Sequence, residues 1–148
     1  MNNSIIFKIL FVITSFLCVK TYGQNLDDHK WKSRILILKT LSTNSKKYNN
    51  QLKEFKNSDK EFKERKLVLY IINQDKFSLT NYTDSAFNYS GKVTKSLAEN
   101  ILTESEDFEI ILIGLDGRIK LQQNEILLKE DLFSFIDSMP MRKNEMKN

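Results

Sequence analysis

Residues 35–38 read Ile35-Leu36-Ile37-Leu38, an unbroken apolar run that Leu41 extends. A short continuous run of this kind suits a strand buried on both faces of a sheet. Residues 67–72 (LVLYII) and 108–113 (FEIILI) repeat the signature. Between the first two runs come Ser42, Thr43, Asn44 and Ser45, which favour helix starts, then Tyr48, Leu52 and Phe55 on one helical face. Phe62 lies beyond a break or bend at Asn57-Ser58-Asp59. About 25 residues separate the two runs, room for a right-handed crossover between parallel strands.

The second half reads differently. Residues 74–91 are polar and aromatic and predict a long loop with one turn of helix. Val93, Leu97 and Ile101 mark a short amphipathic helix, and Glu104 to Asp107 an acidic connection. After the third strand, Asp116-Gly117 is a hairpin signal, and residues 118–122 (RIKLQ) alternate as an edge strand does. Leu128, Leu132, Phe133, Phe135, Ile136 and Met139 line a last helix that Pro140 helps to end. The order β-α-β, helix, β-β-α predicts an α/β, thioredoxin-like fold. Its four-stranded mixed sheet has the order two, one, three, four. The two long helices belong on one face and the short helix on the other.

The chain has 148 residues, 41% hydrophobic and 28% charged, which bounds it to one domain of globular composition. Residues 1–23 read as a signal peptide. Ile9 to Val19 is an apolar core too short to span a bilayer, and Thr21-Tyr22-Gly23 places small residues before a cut at Gln24. A lipoprotein cut at Cys18 is disfavoured by the bulky Leu17. The domain is then 24–148, exported to the periplasm or beyond, without stable membrane insertion. The cut lowers the net charge from +4 to +2 and removes Cys18, the only cysteine. Thiol chemistry goes with it.

Three stretches resemble a known family. Trp31-Lys32-Ser33-Arg34 resembles the W-K-N-R opening of the P-DUDES family, and Gly114 to Leu121 (GLDGRIKL) looks like its G-K-D-G-x-x-K-L hairpin. Ile136-Asp137-Ser138-Met139-Pro140-Met141-Arg142, with Glu145-Met146, is similar to its I-D-x-M-P-M-R-x-x-E-M ending. That family is peroxiredoxin-like, exported from bacteria and of unknown function. It is related to domains of vertebrate sushi-repeat and coiled-coil-domain-containing extracellular proteins. The resemblance implies a thioredoxin-like fold without an established activity. It makes Trp31, Arg34, Met141 and Arg142 the candidate binding residues.

Residue types narrow the chemistry. The stretch after the first strand, Thr40 to Ser45, holds no cysteine, and no proline precedes the third strand. Ser42 or Ser45 with His29 as base is conceivable, but helix capping is the better reading. His29 with Asp27 and Asp28, or the acids from Glu104 to Glu109, lack the pattern of a metal site. No Gly-rich phosphate loop exists, so no cofactor is expected. Eight basic and four acidic residues within 46–66 suit a solvated face, or contact with anionic polysaccharide. Nucleic acid does not fit an exported protein. Trp31 is expected to anchor the start of the domain on the core, and the Met139–Arg142 end of the last helix to clamp beside it. The expected function is a non-catalytic interaction module, for a protein or an envelope or matrix polysaccharide. The alternative is a degenerate peroxiredoxin-like enzyme with non-thiol chemistry near the end of the first strand.

Overall fold

In the computed structural model, which describes residues 25–147, the apolar run at 35–38 lies inside β1 (Arg34–Thr40), buried along its whole length. The expected signal peptide and its cut lie outside the described residues. Period-two alternation sends Leu36 and Leu38 to one face of the sheet and Ile35 and Ile37 to the other. Next come α1 (Lys46–Phe55), α2 (Asp59–Glu64) and β2 (Leu67–Asn73). Ser45 caps α1 by accepting from the Tyr48 N–H. Asn57, at φ 62°, breaks the helical stretch in two. β2 returns parallel to β1, with Leu36 opposite Leu69, as a crossover requires.

Residues 74–91 hold the expected turn of helix, at Ser85–Phe87, but are more strand than loop. Gln74, at φ 55°, opens a two-residue turn into β3 (Lys76–Asn81), antiparallel to β2, and β4 (Tyr89–Lys92) adds a short edge. The sheet therefore has six strands rather than the expected four. Phe77 and Leu79 face inward while Lys76 and Ser78 face out. This is ordinary half-buried alternation, masked in the sequence by the density of Asn, Ser, Thr and Asp around it.

The remaining elements are α3 (Lys95–Asn100), β5 (Phe108–Ile113), β6 (Ile119–Gln123), α4 (Lys129–Ser138) and α5 (Pro140–Glu145). β5 pairs antiparallel with β1 and β6 antiparallel with β5, giving the order β4-β3-β2-β1-β5-β6. The four strands read from the sequence keep their expected order, and the two added strands extend the β2 side. Tyr48, Phe55, Phe62, Leu132 and Ile136 of α1, α2 and α4 cover one face. Leu97 of α3, with Leu26 of a 3-10 turn at Leu26–His29, covers the other. Pro140 does more than stop α4: it takes the first position of α5, where its missing N–H costs nothing. Leu128 and Phe135, expected to line the core, are exposed.

Candidate functional site

The N-terminal end of β1 and the start of β2 carry an arginine cluster. Arg34, the first residue of β1, is 1% exposed. Its Nη1 donates to the Arg65 carbonyl at 2.8 Å and to Glu145 Oε2 at 3.2 Å. Arg142 of α5, 4% exposed, donates to Asp137 at 3.0 Å and to Glu64 at 2.6 Å and reaches Glu145 at 3.6 Å. Arg65 donates to Asp137 at 2.5 Å, and its guanidinium lies over the Phe133 ring, 4.5 Å from the centroid. Lys66 Nζ stands 3.5 Å from Glu145. Burial raises the Asp137 carboxyl, but the hydrogen bonds from Arg65 and Arg142 outweigh it and hold the group below the usual carboxylate range. The planar guanidinium fork lets each arginine span two elements, tying α5 and α4 to the α2–β2 connection and to β1.

Above this clamp lies an apolar groove of about 260 Å³. Arg34 contributes to its lining, with Gly114, Leu115 and Asp116 of the β5–β6 turn on one side and Phe135, Met139, Pro140 and Met141 on the other. Lys120 closes one edge, its Nζ bonded to Asp116 at 2.8 Å. The Arg34 Nε is buried with no hydrogen-bond partner. The groove is smaller than the pockets that hold cofactors and matches one or two side chains.

The candidate residues divide between clamp and groove. Arg34 joins both, Met141 lines the groove, and Arg142 lies in the clamp. Trp31 is not the buried anchor expected. It is 62% exposed, at φ 64°, with its N–H donating to the carbonyl of groove residue Leu115 at 2.7 Å. The left-handed backbone at Trp31 turns the chain away from the core before β1 begins. The clamp of the domain ends is real, but arginines and carboxylates make it, with Met139 only packed against the core cluster. His29 is the other surprise. Its Nε2 is 2.8 Å from the hydroxyl of the fully buried Tyr70, and their rings meet edge to face. Burial, opposed by Asp28 and reinforced by Lys32, lowers the His29 pKa below 6.5. Burial, with Tyr89 and Asp28, holds the Tyr70 hydroxyl far above the ordinary phenol value.

At the opposite end of β1, the Thr40–Ser45 stretch satisfies itself. The Thr40 hydroxyl donates to the Ser42 carbonyl at 2.8 Å and accepts from the Ser42 N–H, while Ser45 caps α1. Neither serine is placed with His29. A cleft of about 600 Å³ opens beside this turn, between Lys39, Gln74 and the α3 residues Lys95, Ala98 and Glu99. The buried Lys39 donates to the Thr103 carbonyl. Glu109, its cross-strand neighbour, accepts from the Thr103 hydroxyl at 2.5 Å, the Thr103 N–H at 3.0 Å and Gln122 at 2.8 Å. Sequence reasoning placed Glu109 in the third strand, weighed it only with the neighbouring acids as a metal ligand, and passed over Lys39. Charged residues at two facing positions of otherwise apolar strands were the available signal. Among the described residues, no group of three His, Cys, Asp or Glu side chains could hold a metal ion.

These features define a mixed α/β domain, one six-stranded sheet covered by helices on both faces, clamped at one end by a buried ionic network beside an apolar groove. The chain belongs to the family described as Domain of unknown function (DUF4174), which matches residues 25–145. No curated protein and no solved structure matches it. No helix among the described residues is long and apolar enough to cross a membrane.

Proposed function

We propose that this protein is an exported, non-catalytic binding module of thioredoxin-like architecture, related to the P-DUDES domains, and that the groove beside Arg34 is its binding site. One observation carries the reading. The three stretches singled out in the sequence, 31–34, 114–121 and 136–142, are far apart in the chain and converge on that groove. Exposed Trp31, Phe135 and Met141 there supply the aromatic and thioether surface that protein interfaces favour. The self-satisfied hydroxyls of Thr40–Ser45 and the missing cysteine argue against redox chemistry at the other end.

Crosslinked pull-downs from the native envelope and culture medium test this. Partners captured by the wild type should be lost with Met141→Glu in the groove and kept with Lys95→Glu in the distant cleft. The opposite pattern would move the site to the cleft. One observation favours the second reading, an enzyme with non-thiol chemistry: Lys39, Thr103 and Glu109 form a buried polar group beside the larger cleft.

A further inference from the structure

Lys39 is a buried ammonium with no carboxylate bonded to it. Alternation along β1 puts it on the face of Ile35 and Ile37, under α3, where it lines the cleft of about 600 Å³. It is 6% exposed. Among the described residues its Nζ makes one hydrogen bond, to the Thr103 carbonyl, and no ion pair. Glu109 stands opposite it across the sheet but gives its oxygens to the Thr103 N–H, the Thr103 hydroxyl and Gln122. An ammonium carries more N–H donors than that one bond uses. A charge buried with so little compensation is costly, and an acceptor arriving from the cleft supplies what the fold does not.

The other lining residues narrow the kind of acceptor. Leu41, Val93, Ala98 and Leu102 give the cleft apolar walls. Its second cation, Lys95, is tied to Glu99 at 3.6 Å. Asp75, Glu99 and Glu104 are exposed and make the mouth acidic. A ligand there meets one buried cation, then apolar contacts, then carboxylates that repel a second negative charge. The volume lies in the range of small-molecule sites. We infer that this cleft binds a small monocarboxylate on an apolar body, its carboxylate accepting from Lys39 Nζ and its far end neutral or cationic. The site is separate from the groove, at the opposite end of β1, and needs no catalysis.

Hexanoate is the probe, titrated into the purified protein at low salt and read by the amide NMR signals of Lys39, Ala98 and Leu102. Hexanoate and ε-aminocaproate should both bind and shift these signals. Hexylamine should not bind, and adipate, with an anion at each end, should bind about threefold more weakly than hexanoate. Lys39→Met replaces the buried ammonium with an apolar chain of similar length, which buried positions tolerate, and should weaken hexanoate binding about tenfold or more. Ala98→Trp, on an exposed helix position, fills the cleft without touching Lys39 and should weaken binding as much. Wild-type protein that leaves hexanoate unbound, or hexanoate binding kept by either variant, would overturn the inference. Hexylamine bound as well as hexanoate would replace the buried cation by plain apolar attraction, and adipate bound as well would remove the acidic mouth from the argument for a single charge; either result overturns the monocarboxylate. Tighter binding of a leucine tripeptide with a free C-terminus would overturn it too, in favour of a polypeptide end.

Discussion

The two ends of the central strand are built on opposite principles. At the Arg34 end, polar groups reach across the fold: Arg34 meets a residue 111 positions away and Arg142 one 78 positions away. At the Thr40 end, the Thr40 hydroxyl bonds within two residues of itself, and the longer reaches are the Lys39–Thr103–Glu109–Gln122 group and the bonds of Leu41 to Asp107 and Gln74. Long-range ionic bonds hold elements together and are lost together when one partner goes. Local turns cost little to remake. The end that carries the three sequence motifs is thus also the end on which the tertiary fold depends most.

Removing one partner of the clamp should have the largest effect. Arg142→Ala deletes bonds to Asp137 and Glu64 at once, and truncating one side of a buried ion pair typically costs about 3–5 kcal/mol. The partial exposure of Glu64 and Asp137 places the expected loss near the lower figure, read as a shift in urea midpoint. Acid should expose the same network. Because the folded Asp137 pKa is depressed, its contribution is present above the unfolded value of 3.8 and lost as pH falls through the folded one. An Arg142→Ala midpoint equal to wild type would erase the contrast between the ends.

Glu109→Ala tests the Thr40 end. It leaves the Thr103 N–H and hydroxyl without their acceptor, a loss of about 1–3 kcal/mol by the same urea melts. A loss larger than that of Arg142→Ala would reverse the comparison. A smaller effect belongs to His29, which fastens the turn before Trp31 to Tyr70. Its folded pKa lies below the unfolded 6.5, so its stabilisation is complete above pH 6.5 and falls away as pH drops through the folded value. Urea midpoints at neutral and mildly acidic pH should differ less for His29→Gln than for wild type. Trp31→Ala should change least, within about 0.5 kcal/mol, because the indole is exposed. A loss of several kcal/mol would return the tryptophan to the anchoring role its sequence suggests.

The strands of the sheet centre were legible because burial on both faces forces an unbroken apolar run, visible without any knowledge of partners. The Tyr48, Leu52 and Phe55 spacing and the Asp116-Gly117 turn were legible for the same local reason. β3 and β4 were not, since strands outside the sheet centre can bury one face only, and Phe77 and Leu79 are few among turn-forming neighbours. Trp31 misled because its size argues for burial, whereas a left-handed backbone and the bond to Leu115 hold it outside. The groove was least legible of all. The sequence determined that 31–34, 114–121 and 136–142 are unusual and that thiol chemistry is absent after residue 23. Only the tertiary structure decided that the three stretches meet, because the crossover between β1 and β2, the antiparallel return of β5 and the turn into α5 bring distant residues to one end of one sheet.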